Sequence, residues 1–155
     1  MAVQVRVLGR DDEHVLMHVA PDVFDNPIDP RLASEFLHDS RHHIAVSISD
    51  GTVVGFASAV HYVHPDKPPQ LWINEVAVAP SHRRRGLGAA MLRLLFDVGR
   101  AHRCTVAWVL TDRMNPAAMA LYSSVGGREG ADDEGPSEAT IGYSFELSRA
   151  PTSDQ

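Results

Sequence analysis

Cysteine is almost missing. Cys104 is the only one in 155 residues, which excludes an intramolecular disulfide and suits a reducing cytoplasm. Apolar runs are short: none approaches the roughly 20 residues of a membrane-spanning helix, so no transmembrane segment is expected. The opening MAVQVRVLGRDDEH has no basic segment leading into an apolar one, so no secretory leader is expected. Aromatic residues make up only 6% of the chain. None is interleaved with the short basic cluster Arg83-Arg84-Arg85, which argues against a nucleic-acid surface. What remains is 44% apolar and 22% charged, the composition of an ordinary globular protein. Its length suits one domain.

Bases are outnumbered, 14 against 20 acids, for a net charge of −6. The two signs are also segregated. Residues 81–103 carry six arginines against the single acid Asp97, whereas residues 11–39 carry eight acids against Arg31 alone. Residues 129–138 add five acids and no base. Such asymmetry fits two unlike partners, one anionic and one cationic, although solvated helix faces would look the same.

Alternation in VQVRVL predicts a strand over 3–8. Residues 11–24 read as a helix to about Pro21, capped by Asp11 or Asp12. Asp29-Pro30 has the order that opens a second helix. HIAVSIS and TVVGFASAVHYV are β-branched runs joined by Asp50-Gly51, a two-residue hairpin signal. LWINEVAV (71–78) is a further strand. From Gly86 to His102 the residues Leu87, Met91, Leu94, Leu95 and Val98 recur at helical spacing. TVAWVL is a strand, and Asn115-Pro116 caps a helix that Gly126-Gly127 ends. ATIGYSFEL is the last strand. The expected order is β-α-α-β-β-β-α-β-α-β with a short extra strand near Arg128. That is one mixed α/β sheet flanked by helices, a single domain over 1–147 with a frayed tail over 148–155.

The turn HRRRGLG, residues 82–88, follows a strand and opens the long helix. A helix N-terminus presents unpaired N–H groups and a partial positive charge. Glycines let those groups approach an anion, and arginines add charge-assisted bonds. The turn is built to hold a pyrophosphate. It is neither a dinucleotide fingerprint nor a Walker loop, because both spacings fail.

The strand LWINEVAVAP, this R-x-x-G-x-G turn and helix, and NPAAMALYSSVGG together resemble the GNAT N-acetyltransferase superfamily. The resemblance covers nearly the whole chain and implies a twisted, mostly antiparallel sheet with acetyl-CoA as cosubstrate. It implies that Arg83, Arg84, Arg85, Gly86, Leu87 and Gly88 cradle the pyrophosphate, and that Val76, Ala77 and Val78 pair with the pantetheine arm. It places Asn115 against the cofactor, where a pure helix cap is the plainer reading, and Tyr122 near the cofactor sulfur, where a core aromatic is the plainer one. Acetyl transfer to an amine needs a base for the ammonium proton and an acid for the leaving thiolate. Glu75, an acid inside an apolar strand, is the candidate base, and Tyr122 the candidate acid. No covalent enzyme and no metal are implied. Many members of the superfamily form dimers, so a homodimer is an expectation.

A narrower likeness joins DVFDNPIDP, HYVHPDKPP, NEVAVAPSHRRRG and AMALYSSVGGRE. These resemble acetyltransferases acting on the 3-amino group of aminoglycosides, with Glu75 standing where that branch is expected to carry an aspartate. The resemblance implies a cationic acceptor held by Glu75, Asp25 and Asp29 on one side and Asp132 and Asp133 on the other. Another small amine, a polyamine or a peptide amine stays open as acceptor, and so does a non-catalytic acyl-CoA sensor. Of the nine histidines, His14 and His18 have helical metal-ligand spacing but no third ligand. His64 is a candidate substrate contact.

Overall fold

The computed structural model describes residues 2–130 and 140–148. Along the chain run β1 (Gln4–Val7), α1 (Pro30–His38), β2 (His42–Ser49), β3 (Thr52–Tyr62) and β4 (Gln70–Val78). After them come α2 (Leu87–Ala101), β5 (Val106–Asp112), α3 (Pro116–Ser124), β6 (Arg128–Glu129) and β7 (Thr140–Glu146). The seven strands form one sheet in the order β1-β2-β3-β4-β5-β7-β6. Only β4 and β5 are parallel. The expected short strand at Arg128 is β6. Asp50 and Gly51 both have positive φ, 49° and 75°, the type I′ geometry that matches strand twist.

The first predicted helix is not one. Residues 11–24 yield a five-residue 3-10 helix, Glu13–Met17, because two tertiary demands outweigh its helical pattern. Asp12 turns back instead of capping: its carboxylate accepts from the Gly9 N–H at 2.7 Å and pairs with Arg6 at 3.2 Å. From His18, six residues later, the backbone is drawn against β3. The Val53 N–H donates to the His18 carbonyl at 2.8 Å, and the Ala20 N–H donates to the Val53 carbonyl at 2.9 Å. Phe24 then stacks on Phe56 with ring centroids 4.0 Å apart. The connection before α1 is thereby laid over the middle of β3 and β4. His14 and His18 share no face either, since a 3-10 turn aligns residues three apart.

Strand alternation builds two cores. Ala45, Ala57, Ala59, Leu71 and Ile73 face α2, which buries Met91, Leu92, Leu95 and Phe96 against them. Ile44, Val46, Val53 and Phe56 face the other way, under Ala33 and Leu37 of α1 and Leu16. Burying each Val, Leu, Ile, Met or Phe among these is worth about 1.5–3 kcal/mol. The sheet therefore holds the N-terminal ends of α2 and α3 in fixed positions. Among the described residues no helix is long and apolar enough to cross a membrane.

Candidate active site

Strand β4 carries the site through two irregularities. The first is a bulge at Asn74: Ser58 pairs with Glu75, whereas Ala59 pairs with Ile73, leaving Asn74 unmatched. Strict alternation would send Glu75 to the buried α2 side with Leu71 and Ile73. The bulge turns it to the α1 side with Ser58, where it is exposed. There Glu75 lines a hollow of about 340 Å³ with Asp25, Asp29, Phe24 and Phe36.

The second irregularity is a parting of strands. β4 pairs with β5 only from Gln70 to Trp72, opposite Val106 to Trp108. Beyond Trp72 that side of β4 has no strand partner among the described residues. The Ala79 N–H donates to the Val54 carbonyl at 2.7 Å, which fixes the phase of the β3–β4 ladder. Antiparallel pairing alternates, so Ala77 bonds to β3 while the peptide groups of Val76 and Val78 turn into the opening. The Val78 carbonyl accepts there from Arg83 Nε at 3.1 Å.

This opening is part of a cleft of about 770 Å³ between β4, the turn, α2 and α3. Arg84 and Gly86 both adopt the left-handed conformation, with φ of 63° and 73°. At Gly86 the space that a Cβ would enter is open to 4 Å. No side chain caps α2, and its first intrahelical bond runs from the Ala90 N–H to the Gly86 carbonyl at 3.0 Å. The N–H groups of Leu87, Gly88 and Ala89 thus point out of the helix end toward the cleft, where they favour an anion. Arg83 and Arg84 stand beside them. Arg85 is exposed and is not among the residues lining the cleft.

Gly88 has a different reason for being glycine. A Cβ there would lie 3.1 Å from Leu121 Cδ2, so its absence lets α2 and α3 pack closely. Asn115 caps α3, its Oδ1 accepting from the Ala118 N–H at 3.1 Å. The cap and the lining of the cleft coincide in this residue. Tyr122, on α3, also lines the cleft and is only 6% exposed. Its ring packs against Tyr143 at 5.5 Å. Burial pushes its phenol pKa up, so the hydroxyl keeps its proton and can donate it.

The sequence profile of the Acetyltransferase (GNAT) family matches residues 13–126. The chain belongs to that family. It is similar to the L-2,4-diaminobutyric acid acetyltransferase of Nocardia farcinica, 35% identical over 53% of this chain and 42% of that protein. It is similar also to the N-alpha-acetyltransferase RimI of Mycobacterium tuberculosis, 29% identical over 80% of this chain and 77% of the relative. An aminoglycoside N-acetyltransferase solved in complex with CoA shares the fold, with a TM-score of 0.70 at 19% identity over 84% of this chain and 91% of that one. The chain spans less than half the length of the diaminobutyrate relative.

The sites expected for this GNAT chain fall into three groups. Val76, Ala77, Val78, Arg83, Arg84, Gly86, Leu87, Gly88, Asn115 and Tyr122 converge on the cleft. Glu75, Asp25 and Asp29 converge on the hollow, where Asp29 also caps α1 by accepting from the Arg31 N–H at 2.8 Å. Asp132 and Asp133 lie outside the described residues. His64 lines neither space, and its ring packs edge-on against Tyr62 at 5.1 Å instead. Cys104 is 3% exposed and burial pushes its thiol pKa up, so it is a packed thiol rather than a nucleophile. One grouping escaped the sequence altogether: His43, His61 and His102 meet beneath the far end of α2. Residues so distant in the chain give no spacing signal.

Proposed function

We propose that this chain transfers an acetyl group from acetyl-CoA to a primary amine of a small polycationic acceptor. The observation that carries the reading is the division made by β4. A cleft with unpaired N–H groups and arginines lies on one side, a carboxylate-lined hollow on the other, and Glu75 and Val76 stand at the break. The cleft suits the cofactor's chemistry. Free N–H groups of α2 and the Arg83 and Arg84 side chains match a pyrophosphate, and the peptide groups of Val76 and Val78 match an amide-bearing arm.

When bound, acetyl-CoA supplies an acetyl group on a thioester. Glu75, directly or through a water, takes the proton that an aliphatic ammonium must lose before it can attack. The Val76 N–H, free of β3, faces the opening and is available to the oxygen that gains charge. Tyr122, a neutral phenol, gives its proton to the departing sulfur. Asp25 and Asp29 hold further ammonium groups of the acceptor and so orient the one that reacts.

The 3-amino group of an aminoglycoside is one acceptor of this class, supported by the acidic hollow and the motifs around Glu75. A diamino acid is another, supported by the diaminobutyrate relative. A peptide N-terminus is the second reading, favoured by the length of the alignment with RimI. The deciding experiment measures thiol release from acetyl-CoA with aminoglycosides, L-2,4-diaminobutyrate, polyamines and short peptides. Turnover with polycations and not with peptides is the expected result. Turnover with peptides alone overturns the acceptor class, and no turnover with any amine overturns the activity.

A further inference from the structure

The histidine grouping lies at the opposite end of α2 from the pyrophosphate turn. The helix has 15 residues, so about 22 Å separates its two ends. His43 on β2 pairs with Ala59, and His61 lies two residues further along β3, so the two imidazoles are diagonal neighbours on the α2 face. His102, the C-cap of α2, closes the group from above. His43 and His61 are buried, 8% and 9% exposed, and His102 is exposed. His43 Nε2 and His61 Nδ1 share a hydrogen bond at 2.8 Å. The His61 and His102 rings stack with centroids 4.2 Å apart.

We propose that His43, His61 and His102 bind a divalent late transition metal of the zinc class. One nitrogen from each ring lies within 4.8 Å of the others. A tetrahedral ion with metal–nitrogen bonds of ~2.0–2.1 Å wants donors roughly 3.4 Å apart. The ion therefore opens the short His43–His61 contact slightly and draws the exposed His102 ring inward. The proton shared by Nε2 and Nδ1 moves to the far nitrogen of its own ring, and both lone pairs then face the metal.

Two features favour a cation here. Imidazole is a preferred ligand of zinc, copper and nickel. The C-terminal end of α2 carries the negative end of its dipole, which stabilises positive charge. Three protein ligands leave a fourth position on the exposed side for water. The ion would clamp the end of α2 to β2 and β3, a structural role separate from acetyl transfer.

Titration of the chelator-treated full chain with zinc chloride, followed by calorimetry, tests the site, with cobalt(II) chloride and visible absorption reporting the ligand geometry. One ion per chain is expected, together with a higher melting temperature in zinc. His102→Ala removes an exposed ligand and leaves both cores intact, and it should weaken binding by roughly 10–100-fold or more. His61→Asn should abolish it. His14→Ala, outside the group, should bind as the unaltered chain does. Absence of saturable binding, or one-ion binding unchanged in His102→Ala, overturns the proposal.

Discussion

Glu75 and Val76 are consecutive on β4, yet they open onto different spaces. Glu75 faces the acid-lined hollow, and Val76 faces the cleft below the ends of α2 and α3. The bulge at Asn74 produces this division, since it alone brings Glu75 out of the buried α2 side. A base and the amide groups that would hold a thioester arm are thus one residue apart on a rigid strand.

Glu75→Gln keeps the size of the side chain and removes its basicity. We expect turnover to fall by roughly 10²–10⁴, with thermal protection by acetyl-CoA retained. An unchanged rate at neutral pH would move the base to another group.

Tyr122→Phe tests the acid. Burial raises the phenol pKa, so the neutral donor persists through the alkaline range. A free thiol ionises near about 8.5, above which the departing sulfur needs no proton. The variant should be slowest relative to the parent near pH 7 and should approach it above pH ~9. A constant ratio across pH would leave Tyr122 a packing residue.

The two glycines of the turn should fail differently. Gly86→Ala places a Cβ in open space but at a φ of 73°, a strain of about 1–2 kcal/mol. It should weaken acetyl-CoA protection while leaving the fold cooperative. Gly88→Leu drives a side chain into Leu121, where even a Cβ would lie 3.1 Å from Cδ2, so the unliganded melting temperature should fall. Identical melting temperatures for both variants without ligand would contradict these assignments.

Stability of the metal-free protein should decline as the medium is acidified toward pH 4. His43 falls from 6.5 in the unfolded chain to about 4 in the fold, through burial first and then its neighbours His61, His102 and His42. Asp39 opposes the shift. Burial lowers His61 in the same direction, with His102 and Arg41 adding to it. Between these limits the unfolded chain binds protons that the folded chain does not, so stability rises with pH through the window and is lost as pH falls through it. At about 1.4 kcal/mol per pK unit, the loss is of order 1–3 kcal/mol. Urea midpoints at pH 7 and pH 5 in the presence of chelator measure it, and His43→Gln should flatten the difference.

The strands, α2 and α3 were legible because each is written locally, in alternation, in helical spacing, in Asp50-Gly51 or in Asn115-Pro116. The cleft was legible for the same reason, since its turn is continuous in sequence. The first helix was not, because His18 and Ala20 bond to Val53, a partner that no local pattern announces. The Asn74 bulge likewise exists only in the register between β3 and β4. The close approach of Gly88 to Leu121 was not legible either, because that neighbour comes from another helix.

The acceptor is best tested through its charge. Asp25 and Asp29 are exposed, so their attraction for a polycation should be screened by salt, with a Debye length near 10 Å at 0.1 M. Raising ionic strength should raise KM for an aminoglycoside or a polyamine and leave kcat comparatively steady, the mark of lost uniform binding. The double variant Asp25→Asn with Asp29→Asn should have a higher KM at low salt and a flatter salt dependence. Asparagine preserves the α1 cap that Asp29 provides, because the two residues cap equally well, so a change in KM cannot be ascribed to a frayed helix. A monoamine, with one charge to steer, should show little of either effect. A salt dependence that survives both substitutions would place the attraction elsewhere on the surface and remove these carboxylates from the acceptor site.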